Sequence, residues 1–229
     1  MRKLFPLLLA ICLVFTACSS QSSPSPNGST LIETEPVETV EAESSDVPET
    51  APELTVIDGS TITVRDDGTG TDSDESGMKK TVALTNRQID YSIEQGPFII
   101  TVNSVQLADI EATSSDVASF LDMETGASAA LFAVDITVEN TSDETMTIYP
   151  NQSTIVTSTK EQVTCEIFLS DSIGGEFLGQ VIKSGQVYFI CKNSTAEDIS
   201  QITWYIDSPH DSDLNHFGDD IVTTFIFDK

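Results

Sequence analysis

Alternation of apolar and polar positions is the clearest signal along the chain. Phe132, Val134, Ile136 and Val138 alternate with Ala133, Asp135, Thr137 and Glu139. A period of two places one face of a strand on a core and the other in water. Shorter runs repeat the theme: Phe98–Val102, Met146–Tyr149, Thr154–Thr157, Val163–Phe168, Val187–Cys191, Ile202–Ile206 and Ile221–Phe227. Turn-forming clusters separate them, among them Asn140-Thr141-Ser142-Asp143, Thr159-Lys160-Glu161, Gly174-Gly175 and Ser184-Gly185. Seven or more short strands at such spacing predict an all-β, antiparallel β-sandwich. One helix is expected, Asp116–Met123, with Ser114-Ser115 offering a cap.

The pattern is absent upstream. Ser19–Gly77 holds 14 acidic residues and a single basic one, Arg65, and no aromatic residue occurs between Phe15 and Tyr91. Rich in Ser, Thr, Pro and Gly, it lacks the apolar surface needed to offset the entropy of ordering. It reads as a mostly disordered linker, able to span roughly 40 Å. One stretch differs. Leu54–Val64 reads as strand, Asp58-Gly59 turn, strand. A lone hairpin is marginal in water, so it is either transient or an extra strand pair docked on the main domain.

The first residues carry another signal. Arg2 and Lys3 precede the apolar run Leu4–Phe15, which ends in Thr16-Ala17-Cys18. Leu4–Ala17 contains Pro6 and is shorter than the ~20 residues a spanning helix needs. The order of charge, apolar run and small residues is that of a secretory signal peptide. Phe15-Thr16-Ala17-Cys18 resembles a bacterial lipobox, with Phe15 where leucine is usual. That resemblance implies cleavage before Cys18 and lipidation of its thiol. The expected organisation is therefore 1–17 signal peptide, 18–77 acidic linker and 78–229 β-sandwich domain, held at the extracytoplasmic face of the cell membrane.

Phe98–Val105, Phe132–Ser142 and Ile182–Phe189 stand in an order that resembles the telokin-like, immunoglobulin-like domain of unknown function found in lipoproteins of Gram-positive bacteria. The resemblance covers about Val82–Asp228. It implies an immunoglobulin-like sandwich of seven to eight strands on an anchored stalk, with no catalytic residues to carry over. Lys192 stands where that family often has proline.

Charge narrows the partners. The chain has 10 basic and 37 acidic residues, a formal net charge of −27. Such a surface repels nucleic acid and anionic headgroups. The partners expected are the membrane, through the lipid, and an unidentified protein or cell-wall component.

Four cysteines reduce to two in the fold, because Cys12 leaves with the leader and Cys18 is the lipid site. Cys165 and Cys191 fall in strand-like runs and on the apolar phase of each. A disulfide between them and two buried free thiols both remain open.

No phosphate-binding loop, nucleophile elbow, H-E-x-x-H or C-x-x-C motif is present. An enzyme is not expected, and neither is a cofactor. The chemically richest segment is Pro209–Asp220, which contains both histidines, His210 and His216. Asp211, Asp213 and Asn215 repeat the opening of a calcium loop, with Asp219 and Asp220 close behind. His216 stands where that loop wants Gly, and Val222 where it wants Glu. The readings left open are an acidic turn, a calcium site and a histidine-based transition-metal site. Trp204 and Tyr205 are adjacent in a strand, so one faces the core and the other is free for an exposed contact.

The function expected is display of a non-catalytic immunoglobulin-like domain for protein or ligand binding. A calcium-dependent binding module and a cell-wall spacer are the alternatives.

Overall fold

A computed structural model describes the backbone of residues 55–58 and 60–229, and side chains from Ser60 onward. The leader, Cys18 and most of the acidic linker lie outside the described residues.

Fifteen strands are formed among the described residues. They are β1 (Thr55–Asp58), β2 (Thr61–Arg65), β3 (Ser73–Glu75), β4 (Met78–Asn86), β5 (Tyr91–Gln95), β6 (Phe98–Ala112), β7 (Ser128–Asn140) and β8 (Thr145–Ile148). Then follow β9 (Thr154–Thr157), β10 (Gln162–Thr164), β11 (Gly175–Leu178), β12 (Ile182–Cys191), β13 (Gln201–Ile206), β14 (His210–Asp211) and β15 (Ile221–Asp228). One sheet has the order β1-β2-β15-β13-β9-β10. The facing sheet has the order β12-β7-β6-β4-β3, with β5 also on β6, and a small third sheet runs β11-β8-β14.

This is the all-β sandwich the alternation calls for. Its inner faces meet through Phe132 of β7, whose ring lies 5.5 Å from Phe225 and 5.9 Å from Phe227 of β15. Phe98 of β6 meets Phe177 of β11 edge-on at 5.1 Å. Phe132, Val134, Ile136 and Val138 are all fully buried, as their period of two requires.

Of the hairpin expected over Leu54–Val64, β1 and β2 form, and β2 docks. β2 pairs in parallel with β15, a departure from an otherwise antiparallel ladder set. Ile62 and Val64 are fully buried in the core. Arg65 Nε donates to the Asp228 carboxylate at 3.2 Å, and Asn86 Nδ2 donates to the Arg65 carbonyl at 2.9 Å. The sandwich thus takes in residues upstream of Met78.

Downstream of β2 the chain runs beside β4, where the Asp67 N–H donates to the Thr85 carbonyl. There Lys80 is buried and donates to Gln106 Oε1 at 3.1 Å, while Gln106 Nε2 donates to the Thr85 hydroxyl at 3.0 Å. Burial lowers the Lys80 pKa, partly offset by the nearby charge of Asp72.

The helix is shorter than expected. α1 runs Ser115–Phe120, and the Ser114 side chain accepts the Val117 N–H at 3.3 Å. Asn140 is buried at a turn and donates to the carbonyls of Glu144 and Gly179. Asn140 thus holds the turn that the Asn140-Thr141-Ser142-Asp143 cluster predicts.

Candidate functional site

The segment joining β13 to β15 is built around Asp211. Its Oδ1 accepts the backbone N–H groups of Asp213 and Asn215, both at 2.9 Å, and its Oδ2 accepts Asn215 Nδ2 at 2.8 Å. The side-chain bond from Asn215, then its backbone N–H, hold the Asp211 carboxyl below the usual carboxylate range. Asp211 N–H donates to Asn215 O, and Phe217 N–H donates to Pro209 O. The result is a small hairpin closed by an isolated bridge between His210 and His216. β14 pairs with β8, setting His210 opposite Thr147.

Two further ties hold this hairpin, one across its base and one to β5. Asp220 Oδ1 accepts the Ser208 N–H at 2.9 Å. Gln95 Nε2, at the tip of β5, donates to the carbonyls of Phe217 and Asp219. Gly218 sits at φ +79° under that amide, and a Cβ there would lie 2.0 Å from Gln95 Nε2.

The five oxygen donors of the calcium reading serve different purposes. The Asp211 carboxylate holds the turn, an Asp220 oxygen holds Ser208, and Asp213 is exposed. Asp219 contributes its carbonyl to Gln95. Among the described residues, no three His, Cys, Asp or Glu side chains come together in a set able to hold a metal ion.

The two histidines do converge. Their ring centroids are 5.8 Å apart, and Tyr149 lies 6.4 Å from His210. His210 Nδ1 donates to the Asp211 carbonyl at 2.8 Å, and His216 Nδ1 lies 2.7 Å from the Ser208 hydroxyl. Sequence reasoning placed both histidines in one loop but missed their pairing, Ser208 and Tyr149. The readable signal was the five-residue turn sequence between them, Asp211 to Asn215, which an Asx turn folds back. The Ser208–His216 contact lacks the orienting carboxylate of a hydrolytic triad, since no carboxylate hydrogen-bonds His216 among the described residues.

Cys165 and Cys191 are both buried and both free. The strand expected over Val163–Phe168 stops at Thr164. Glu166 N–H donates to Tyr188 O, and Leu169 and Ser170 N–H groups turn back onto Glu166 O. That turn expels Ile167, 52% exposed, and Phe168, 90% exposed, from the apolar face. The Asn193 N–H meets the Glu161 carboxylate at 3.1 Å. These contacts bring the 161–166 segment against β12 and the turn that follows it. Cys165 Sγ lies 3.1 Å from the Ser170 hydroxyl. Burial pushes both thiol pKa values up, that of Cys191 to about 12.

Trp204 is the fully buried member of the aromatic pair and Tyr205 is 41% exposed. No helix among the described residues is long and apolar enough to cross a membrane.

No protein-family model matches the chain. The chain is similar to the SPbeta prophage-derived uncharacterized lipoprotein YonS of Bacillus subtilis (strain 168), 30% identical over 147 residues. The match covers 63% of this chain and spans 64% of that relative's length. Among solved structures, a functionally unknown protein from Listeria monocytogenes EGD-e gives a TM-score of 0.49 at 14% identity, covering 64% of this chain and 87% of that one. The yjhA protein of Bacillus subtilis gives 0.37 at 12% identity, covering 60% and 96%. Neither likeness is close enough to bear on function.

Proposed function

We propose that this chain is a lipid-anchored, extracytoplasmic surface protein. The lipid is carried on Cys18, the acidic residues between it and β1 act as a stalk, and the sandwich is a non-catalytic, immunoglobulin-like display domain of telokin-like type. The observation that carries the reading is Phe15-Thr16-Ala17-Cys18 behind a charged, apolar leader, in a chain similar to a lipoprotein. A diacylglycerol thioether supplies two chains, enough for stable anchoring where one would be marginal.

The display role draws support from the surface. Large apolar side chains stand exposed on turns and strand ends, with Phe168 and Leu178, 71% exposed, the most prominent. Exposed aromatic side chains are favoured as anchors in binding sites. The acidic surface repels other anionic surfaces and keeps the domain off the anionic membrane.

The test is mass spectrometry of the membrane-extracted protein together with a pull-down from wall and membrane extracts. The reading expects an N-terminal peptide that begins at Cys18 and carries lipid, and a partner captured by the wild type but not by Phe168→Ser. An N-terminal peptide beginning elsewhere without lipid contradicts the anchor. Specific capture of nothing favours a cell-wall spacer.

A further inference from the structure

We propose that His210 and His216 form a two-imidazole binding site for a divalent transition-metal ion of the zinc, nickel or copper type. Three independent features of the structure converge on it.

The first is placement. The two residues face each other across an antiparallel bridge, with ring centroids 5.8 Å apart. Two imidazoles that share one tetrahedral ion, with metal–nitrogen bonds of about 2.0–2.1 Å, have centroids about 5 Å apart. His216 is exposed, so a small rotation of its side chain closes the difference.

The second is tautomer control. A carbonyl only accepts, so the contact from His210 Nδ1 to the Asp211 carbonyl fixes the proton on Nδ1. The Nε2 lone pair of His210 is thereby presented. The Ser208 hydroxyl sits on Nδ1 of His216 at 2.7 Å and can accept its proton in the same way. Imidazoles that ligate metals characteristically donate their other N–H to an oxygen, which orients the ring and raises its basicity. Both oxygen partners are already in place here.

The third is rigidity and field. Asp211 pins the turn between the two histidines with three accepted hydrogen bonds. Asp220 ties the two ends of the segment to each other, and Gln95 ties it to β5. A preorganised pair loses less entropy on chelation than two mobile side chains. The chain's charge of −27 raises the local concentration of any cation.

Two protein nitrogens leave the remaining coordination positions to water. The site is consequently open and exchangeable. Imidazole nitrogen selects borderline transition metals, while calcium prefers oxygen ligands. This assignment is independent of the lipid anchor and of the display role.

The experiment is isothermal titration of the full chain in detergent with zinc, nickel and copper(II) chlorides, with calcium chloride as the comparison. One equivalent of transition metal should bind saturably. His210→Ala and His216→Ala should each weaken it at least about tenfold, and Ser208→Ala should weaken it by about tenfold through lost orientation. Long-range proton–nitrogen spectra of the imidazoles should show the Nε2 resonances of both histidines shifting on zinc addition. Absence of saturable binding overturns the proposal. So does binding that survives both alanine substitutions, or that calcium matches at equal concentration, because carboxylates would then be the ligands. Circular dichroism confirms that the variants remain folded; His216→Gln, at an exposed position, provides a second variant that keeps the loop polar.

Discussion

The indole N–H of Trp204 donates to the Ser153 hydroxyl at 2.7 Å, with both residues buried. Ser153 Oγ in turn lies 2.6 Å from the Pro150 carbonyl. One hydroxyl thus satisfies the indole of β13 and closes the 3-10 turn, Pro150–Gln152, that leads into β9. Removing it strands a buried donor. Ser153→Ala should cost about 1–3 kcal/mol. Urea unfolding followed by the fluorescence of Trp204, the single tryptophan of the chain, measures it directly. A change below about 0.5 kcal/mol would contradict the assignment.

The parallel docking of β2 on β15 makes residues before Met78 part of the fold. Ile62 and Val64 are fully buried, and burial of each such side chain is worth about 1.5–3 kcal/mol. A fragment beginning at Met78 should be less stable than one beginning at Thr50 by about 3 kcal/mol or more. It should also self-associate through the uncovered edge of β15. Chemical denaturation and light scattering of the two fragments check both points.

The buried thiols set a stability limit at high pH. In the unfolded chain they ionise near pH 8.5. In the folded chain burial raises both, Cys191 to about 12. The native state therefore holds these protons more tightly, so the stability they contribute is full below about pH 8.5 and is lost as pH rises toward 12. Stability should fall with pH across that window, and Cys191→Ala should flatten the slope. Neither thiol should react with an aromatic disulfide reagent in the native state at pH 7, while both should react after unfolding without reductant.

The sandwich was legible where strands have one wet face. The register of Phe132–Glu139 follows from its alternation, and the expected runs Val187–Cys191, Ile202–Ile206 and Ile221–Phe227 fall within β12, β13 and β15. Legibility failed where tertiary contacts override local pattern. Met78–Asn86 does not read as a strand because Lys80 interrupts its apolar phase, and the Gln106–Thr85 network gives that buried lysine a partner. Val163–Phe168 has strand composition throughout, yet the hydrogen bond from Glu166 to Tyr188 turns the chain out after Thr164. In the 209–220 segment, the D-x-D-x-N spacing was visible, but the same spacing suits an Asx-type turn, and the hydrogen bonds of Asp211 show it used that way. Pairing of His210 with His216 depends on that turn closing, which residue spacing alone does not reveal.

Asp211 is accordingly the organiser of its hairpin. Asp211→Ala should increase hydrogen exchange at the amides of Asp213 and Asn215 by tenfold or more without unfolding β13 or β15. The carboxyl is held below its ordinary value by Asn215, so the local order it provides is present above about pH 4 and is lost as pH falls through the lowered folded value. Exchange at these amides, corrected for its intrinsic pH dependence, should rise in that acid range. Equal protection in wild type and variant would remove Asp211 from this role.

Fractionation of cells expressing the wild type and Cys18→Ala addresses the central claim most directly. The wild type should partition entirely with the membrane and resist release by salt, because acyl chains and not charge hold it. Cys18→Ala should either appear in the medium or remain as an uncut precursor about two kilodaltons heavier, the mass of a leader of this length. Normal cleavage with unchanged membrane partitioning in Cys18→Ala would contradict lipid anchoring at Cys18.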